Sequence, residues 1–164
     1  MRKTAIDLLL RPRLPSDDDF IYRLSERVFS AYSLHPTGSI ASMLGERGAR
    51  TVVAEQARAP VGFYVVGVER LDHPFGPWQH PALARLNAIS VLPALHGRGI
   101  GGLLLEHAEE LARDDEGAVS MTLMTAESNR RARRLFAAAG YARLFVLDHA
   151  YARGQRGLVM TKAL

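Results

Sequence analysis

Apolar and polar positions alternate along the chain in two rhythms, and the rhythm changes mark its elements. Residues 5–10 are almost wholly apolar and read as a first strand, followed by a turn between Pro12 and Pro15. Ser16, Asp17, Asp18 and Asp19 supply capping side chains for a helix that runs to about Tyr32, with Phe20, Leu24, Val28 and Phe29 on one face. Pro36 to Gly38 breaks that pattern, and residues 40–44 predict a second short helix. Residues 50–55 and 61–69 read as strands around a turn at residues 56–60, which suggests a hairpin.

The second half follows the same logic. Residues 71–81 form a loop rich in proline and aromatic side chains, with His73, Phe75, His80 and the only tryptophan, Trp78. A strand over residues 86–92 ends at Pro93. Leu104, His107, Ala108, Leu111 and Ala112 recur at helical spacing and predict a helix over 99–113. Residues 119–125 read as a strand. Ser128 or Asn129 caps a further helix whose apolar face is Ala132, Leu135, Phe136 and Ala139, closed by Gly140. Residues 141–148 and 158–164 read as closing strands. The order is β-α-α-β-β-β-α-β-α-β-β, a mixed sheet with helices on both faces, and therefore an α/β architecture.

Composition narrows the class. A chain of 164 residues supports one domain, 1–164, and 48% hydrophobic with 23% charged residues is ordinary globular composition. The absence of cysteine excludes a disulfide scaffold, a catalytic thiol and cysteine-ligated metal. A cytoplasmic location is the simplest expectation for a chain with no need of oxidising conditions. No segment approaches the roughly 18 apolar residues of a membrane span, and the run behind Met1, Arg2 and Lys3 contains Asp7 and stops at Arg11, too short for a signal core. Of 21 basic residues only Lys3 and Lys162 are lysine, yet the net charge is a mild +4. That balance speaks to solubility, and neither a nucleic-acid nor a membrane partner is expected.

The sharpest chemical signal is a glycine cluster. Gly97, Gly99, Gly101 and Gly102 fall within six residues, between a strand and a helix. Glycine lets backbone amides approach a ligand without a Cβ in the way. The helix start adds unpaired N–H groups and a positive dipole end, which together suit a phosphate or pyrophosphate. Gly97, Gly99 and Gly102 fit G-x-G-x-x-G literally, but that match alone is weak. A dinucleotide site also needs an acid about 20 residues further on, whereas Glu127 lies 30 residues beyond Gly97. A P-loop fails because Leu103 and Leu104 stand where Lys and Ser/Thr belong. A ligand-free glycine turn is the plain alternative.

The segment His96-Gly97-Arg98-Gly99-Ile100-Gly101 resembles the Gln/Arg-x-x-Gly-x-Gly/Ala loop of the Gcn5-related N-acetyltransferases. The strand Asn87-Ala88-Ile89-Ser90-Val91-Leu92-Pro93 is similar to that family's central strand. A second stretch, from Asn129 through Ala132, Leu135 and Phe136 to Gly140 and Tyr141, resembles its Asn-x-x-Ala-x-x-Leu-Tyr-x-x-x-Gly-Phe motif. The two motifs stand in the family's order and separation. The resemblance implies a mixed, mostly antiparallel sheet of six to seven strands, with acetyl-CoA as co-substrate and no metal. It implies acetyl transfer to a primary amine of a small molecule or a protein N-terminus, by direct attack in a ternary complex.

Residue by residue, the resemblance implies that Ile89, Ser90 and Val91 pair with the pantetheine arm. The pyrophosphate would lie on the amides of Gly97, Arg98, Gly99, Ile100, Gly101 and Gly102, beside His96, and Asn129 and Phe136 would border the pantetheine. Asn129 reads equally well as a plain helix cap. The Val91 N–H would stabilise the oxyanion. Two departures matter. Phe136 replaces the tyrosine that often protonates the leaving thiolate, and Met124 stands where N-terminal acetyltransferases often carry Glu or His. Asn87 holding a water, Glu127, His73 and His80 remain as candidates for base. The segment 149–154 is similar to the tyrosine-bearing loop of N-terminal acetyltransferases, with Tyr151 retained. Tyr151, Tyr32 and Trp78 are the expected amine-pocket residues, with Phe75 and Phe29 as further candidates. Arg130, Arg131, Arg133 and Arg134 read as a solvated helix face. A non-catalytic acyl-CoA-binding domain is the rival reading, motivated by Phe136 and Met124 together. An exposed strand edge or helix face leaves a homodimer open.

Overall fold

The structure is a computed structural model and describes residues 7–164. Its elements follow the expected order: β1 (Leu9–Pro12), α1 (Asp18–Phe29), α2 (Pro36–Gly45), β2 (Arg50–Gln56), β3 (Ala59–Arg70), β4 (Ala82–Val91), α3 (Ile100–Glu110), β5 (Ala118–Ala126), α4 (Arg130–Ala138), β6 (Ala142–Leu147) and β7 (Gly157–Ala163). Several boundaries differ from the sequence expectation. The first strand is shorter and later, because Leu9 to Pro12 lie opposite Glu55 to Val52 of β2; residues 5 and 6 of the expected strand lie outside the described residues. Pro36 opens α2 rather than breaking a helix, since its missing N–H would be unpaired in the first turn anyway. Helix α1 stops at Phe29, before Tyr32. Strand β4 begins four residues earlier than expected, at Ala82, because β3 runs on to Arg70 and pairs with it there.

The seven strands form one sheet in the order β1-β2-β3-β4-β5-β7-β6. Neighbours are antiparallel except β4 and β5, which are parallel. Alternation along β3 feeds both faces. Tyr64 and Val66 join the core under α3 and α4, while Phe63 and Val65 join Ile21, Leu24 and Ile40 under α1 and α2. The Tyr64 hydroxyl meets His107 Nδ1 of α3 at 2.8 Å, so this fully buried side chain has its polar end partnered.

Two local features of β4 position the site. The β3–β4 register moves by one between Val65↔Ala88 and Val66↔Leu86, which leaves Asn87 as an extra residue in a bulge. A bulge bends the strand and re-aims its side chain. Pairing between β4 and β5 then ends at Leu86↔Leu123, and the two strands part. On the other side of the opening, β3 and β4 stay tightly apposed at Gly62, where a Cβ would come within 2.7 Å of the Ser90 carbonyl oxygen and 3.3 Å of Val91 Cα. Gly62→Ala therefore forces the β4 backbone away from β3. The expected cost is about 1–3 kcal/mol, read as a lower urea midpoint.

Candidate active site

The parting of β4 and β5 exposes main-chain groups that a continuous sheet would consume. The Leu92 N–H donates to the Val61 carbonyl of β3 at 2.8 Å. Residues two apart on a strand aim their backbone groups the same way. Ser90 and Ala88 thus face β3, and Ile89 and Val91 aim theirs into the gap. On the far wall, the Glu127 N–H donates to the Arg156 carbonyl at 2.9 Å, so Met124 and Ala126 aim theirs into the gap from β5. His96 lies within 2.8 Å of the Val91 carbonyl through Nε2 and caps it, which leaves the N–H groups of Ile89 and Val91 facing the opening.

Beyond the end of β4 the glycine cluster forms a cradle at the start of α3. The first helical hydrogen bond runs from Leu103 N–H to the Gly99 carbonyl at 3.1 Å. The amides from Gly97 to Gly102 find no acceptor among the described residues. Gly97 and Gly99 have φ of 77° and 86°, a left-handed backbone that glycine adopts without cost. Gly102 has no such requirement, and a Cβ there would meet nothing, so its missing side chain keeps the face above the amides open. A cavity of about 620 Å³ lies over this cradle and is bordered by Ile89, Ser90, Val91, His96, Asn129 and Phe136. Arg131 of α4 and Arg27 of α1 also border it; Arg131 is exposed there, as are Arg130, Arg133 and Arg134, in keeping with the solvated face expected for that helix. Arg98 is exposed. These features fit a phosphate-tailed donor whose arm runs along β4. Asn129 is also a cap, since its Oδ1 accepts from Ala132 N–H at 3.2 Å.

A second cavity of about 710 Å³ lies on the other side of the fork. Phe29, Tyr32, Ile89, Asn129, Ala132 and Phe136 border both cavities, so the two meet in the middle. The loop after α1 and the loop before β7 close over this second space. The Ala152 N–H donates to the Tyr32 carbonyl at 2.9 Å, and the rings of Tyr32 and Tyr151 meet edge to face at 6.1 Å. The Tyr151 hydroxyl donates to the Met124 carbonyl at 3.0 Å, one of the groups freed by the parting strands. Burial, with a smaller contribution from Tyr32, pushes the Tyr151 phenol up to about 12. It stays a protonated donor at neutral pH.

The structure brings Asn87, Tyr32 and Tyr151 to this second cavity. It does not bring Glu127 or Trp78 there. The Glu127 carboxylate is 2.6 Å from Arg156 Nη2, at the surface beside β7. Trp78 sits at the tip of the β3–β4 hairpin, where its backbone bridges to Phe75 and the two rings stack at 6.5 Å. His73 and His80 are exposed in that same loop. Met124 is exposed on the cavity wall, and Phe136 is buried between the two cavities with its ring 5.9 Å from that of Tyr141. Sequence reasoning passed over Glu46 and Arg85, which line the second cavity with Asn87. No motif marks them, and the only local hint is Gly67 on the strand beneath, where a Cβ would crowd Asn87 at 3.1 Å.

The site is thus a forked sheet with unpaired amides at the start of α3 on one side and a second cavity on the other, the two cavities meeting at the fork. Residues 18–141 match the model of the acetyltransferase (GNAT) family, and the chain belongs to that family, an acetyltransferase by class. Among solved structures, Arabidopsis thaliana NAA60 in complex with a bisubstrate analogue superposes with a TM-score of 0.81 at 13% identity, covering 96% of this chain and 99% of that one. The ribosomal-protein-S18-alanine N-acetyltransferase from Escherichia coli gives 0.74 at 21% identity, with 95% and 93% covered. Ard1 from Thermoplasma volcanium gives 0.79 at 19% identity, with 96% and 97% covered. Arabidopsis thaliana NAA60 is also known in complex with acetyl-CoA, at a TM-score of 0.80, 12% identity and coverage of 96% and 98%. At these identities the likeness is one of fold. No curated protein matches the chain by sequence. No helix among the described residues is long and apolar enough to cross a membrane.

Proposed function

We propose that this protein transfers an acetyl group from acetyl-CoA to the primary amine of a small molecule or a protein N-terminus, by direct attack within a ternary complex. The observation that carries this reading is the meeting of two cavities at the fork, because donor and acceptor then reach one point from opposite sides without a covalent enzyme intermediate. Holding both reactants in line is a large part of such catalysis. In this reading the amides of residues 97–102 hold the pyrophosphate, and Arg131 adds a cation beside it. The Val91 N–H, with that of Ile89 beside it, stabilises the oxyanion as the amine adds to the thioester carbon. The fold neighbours that act on protein N-termini favour a peptide acceptor, and Tyr32 and Tyr151 stand where its first residues would enter.

The thiolate leaves without a tyrosine on α4, because a thiol is far more acidic than an alcohol and needs less help. Phe136→Tyr is accordingly expected to keep or raise turnover, measured as free thiol released per second. A large drop would mean that the cavity has been rebuilt around the phenylalanine. The rival reading, an acyl-CoA-binding domain without catalysis, rests on Phe136 and Met124 at the positions of the usual acid and base. Calorimetric titration with acetyl-CoA, with NAD as control, and a thiol-release assay against free N-terminal peptides and simple primary amines separate the two. Acetyl-CoA binding with acceptor-dependent thiol release supports transfer. Binding with no release from any acceptor supports the rival. Preference for NAD removes both.

A further inference from the structure

An amine acceptor arrives as an ammonium ion near neutral pH, and it must shed a proton to become a nucleophile. Met124 offers no base, and the Glu127 carboxylate is held by Arg156 outside the cavity. The only carboxylate among the residues lining the acceptor cavity is Glu46. We propose that Glu46, presented from the C-terminal end of α2, is the group that receives the acceptor ammonium and takes its proton, with Arg85 and Asn87 as its positioning residues. This rests on the acetyltransferase reading given above.

The geometry is specific. Arg85 Nη2 donates to Glu46 Oε1 at 2.8 Å, and Asn87 Nδ2 donates to Glu46 Oε2 at 3.1 Å. Arg85 Nε donates to Asn87 Oδ1 at 2.7 Å, which closes a three-residue ring. Both carboxylate oxygens are therefore partnered, and with the Glu46 side chain 40% exposed each keeps a second lone pair for an incoming N–H. The bulge aims Asn87 into this ring, and Asn87 is the first residue of β4 beyond its pairing with β5. The ring thus sits at the mouth of the fork. Gly67 of β3 lies beneath, and a Cβ there would stand 3.1 Å from Asn87 Nδ2 and 3.5 Å from Glu46 Oε1. The backbone of Glu46 is set as well, since its N–H donates to the Met43 carbonyl and its own carbonyl accepts from Ala49 N–H. Besides Arg85, the other ionisable side chains lining the cavity are His35, Tyr32 and Tyr151, none of them a carboxylate. Without Glu46 the cavity would present only the Arg85 cation to an ammonium ion.

The step balances simply. Glu46 accepts one proton from the ammonium, and the freed nitrogen pair forms the C–N bond to the thioester carbon. The C–S pair departs with sulfur, which takes the second nitrogen proton and becomes the free thiol. Glu46 then returns its proton to water. The net products are an amide, a thiol and one proton.

The test compares wild type, Glu46→Gln and Glu46→Asp on the best acceptor from the panel of free N-terminal peptides and primary amines. At pH 7 Glu46→Gln is expected to lower kcat/KM by about 100-fold, with acetyl-CoA affinity and thermal midpoint unchanged. Glu46→Asp is expected to recover part of the loss. As pH rises past the acceptor's own pKa the deficit of Glu46→Gln is expected to shrink, because a neutral amine needs no proton acceptor on arrival. A deficit that is constant across pH, or no deficit, overturns the assignment while leaving acetyl transfer standing. A wild-type protein that binds acetyl-CoA but acetylates nothing overturns the transferase reading and this assignment with it.

Discussion

Gly99→Trp is expected to abolish acetyl-CoA binding, with Kd rising more than about 100-fold by titration calorimetry. Gly99 holds a left-handed φ of 86° as the residue before α3, and its neighbours on either side present the free amides of the cradle. An indole there fills the space over those amides and also strains the turn, since a non-glycine residue in this region costs on the order of 1–2 kcal/mol. Strain and occlusion are separated by Gly102→Trp, because Gly102 lies inside α3 with an open face. It fills the same cavity without the backbone penalty. Both variants losing affinity while Gly102→Trp keeps its melting temperature supports the cradle. Gly102→Trp binding acetyl-CoA like the wild type means that the phosphates lie elsewhere.

Arg11→Met is expected to destabilise the fold by about 3 kcal/mol at pH 7, within the range for breaking a buried ion pair. Arg11 binds Asp17 in a two-pronged contact at 2.7 and 2.9 Å and reaches Glu55 at 2.9 Å. Asp17 is 5% exposed and also accepts from the Leu14 N–H at 2.7 Å, which ties β1 to the start of α1. The hydrogen bond from Arg11 holds the Asp17 carboxyl below the usual carboxylate range, against burial, which pushes it up. A depressed folded-state pKa gives stability that is complete above the unfolded value near 3.9 and lost as pH falls through the folded value. Without Arg11 the buried carboxylate favours protonation. The gap between wild type and Arg11→Met is therefore expected to be widest near neutrality and to narrow toward pH 4, measured by urea unfolding at several pH values. A gap that does not change with pH would assign the loss to the packing of the Arg11 stem instead.

The order of elements, the α/β class and the glycine cradle were legible in the chain itself. Helices and strands announce themselves by local spacing and by caps such as Asn129 and Gly140, whose partners lie within a few residues. The left-handed turns at Gly97 and Gly99 are local in the same sense, and the two motifs lie close enough in sequence to be read together. Boundaries set by pairing were less legible. Strand β4 starts at Ala82 because β3 extends to Arg70, and no residue near Ala82 announces that.

Only the tertiary structure decided how the site is furnished. The fork depends on where β4 stops pairing with β5, and the bulge at Asn87 depends on register against β3, neither of which local sequence encodes. Glu46 meets Arg85 and Asn87 across about forty residues of chain, and Tyr151 finds the Met124 carbonyl only because strand parting has freed it. The same long-range geometry carries Trp78 out to a hairpin tip and turns Glu127 toward Arg156, away from the cavity. Local periodicity settled the α/β class, and the two motifs at His96–Gly101 and Asn129–Tyr141 carried the resemblance to the family. The contacts that line the second cavity come from segments distant in sequence, so they exist only once the sheet has closed.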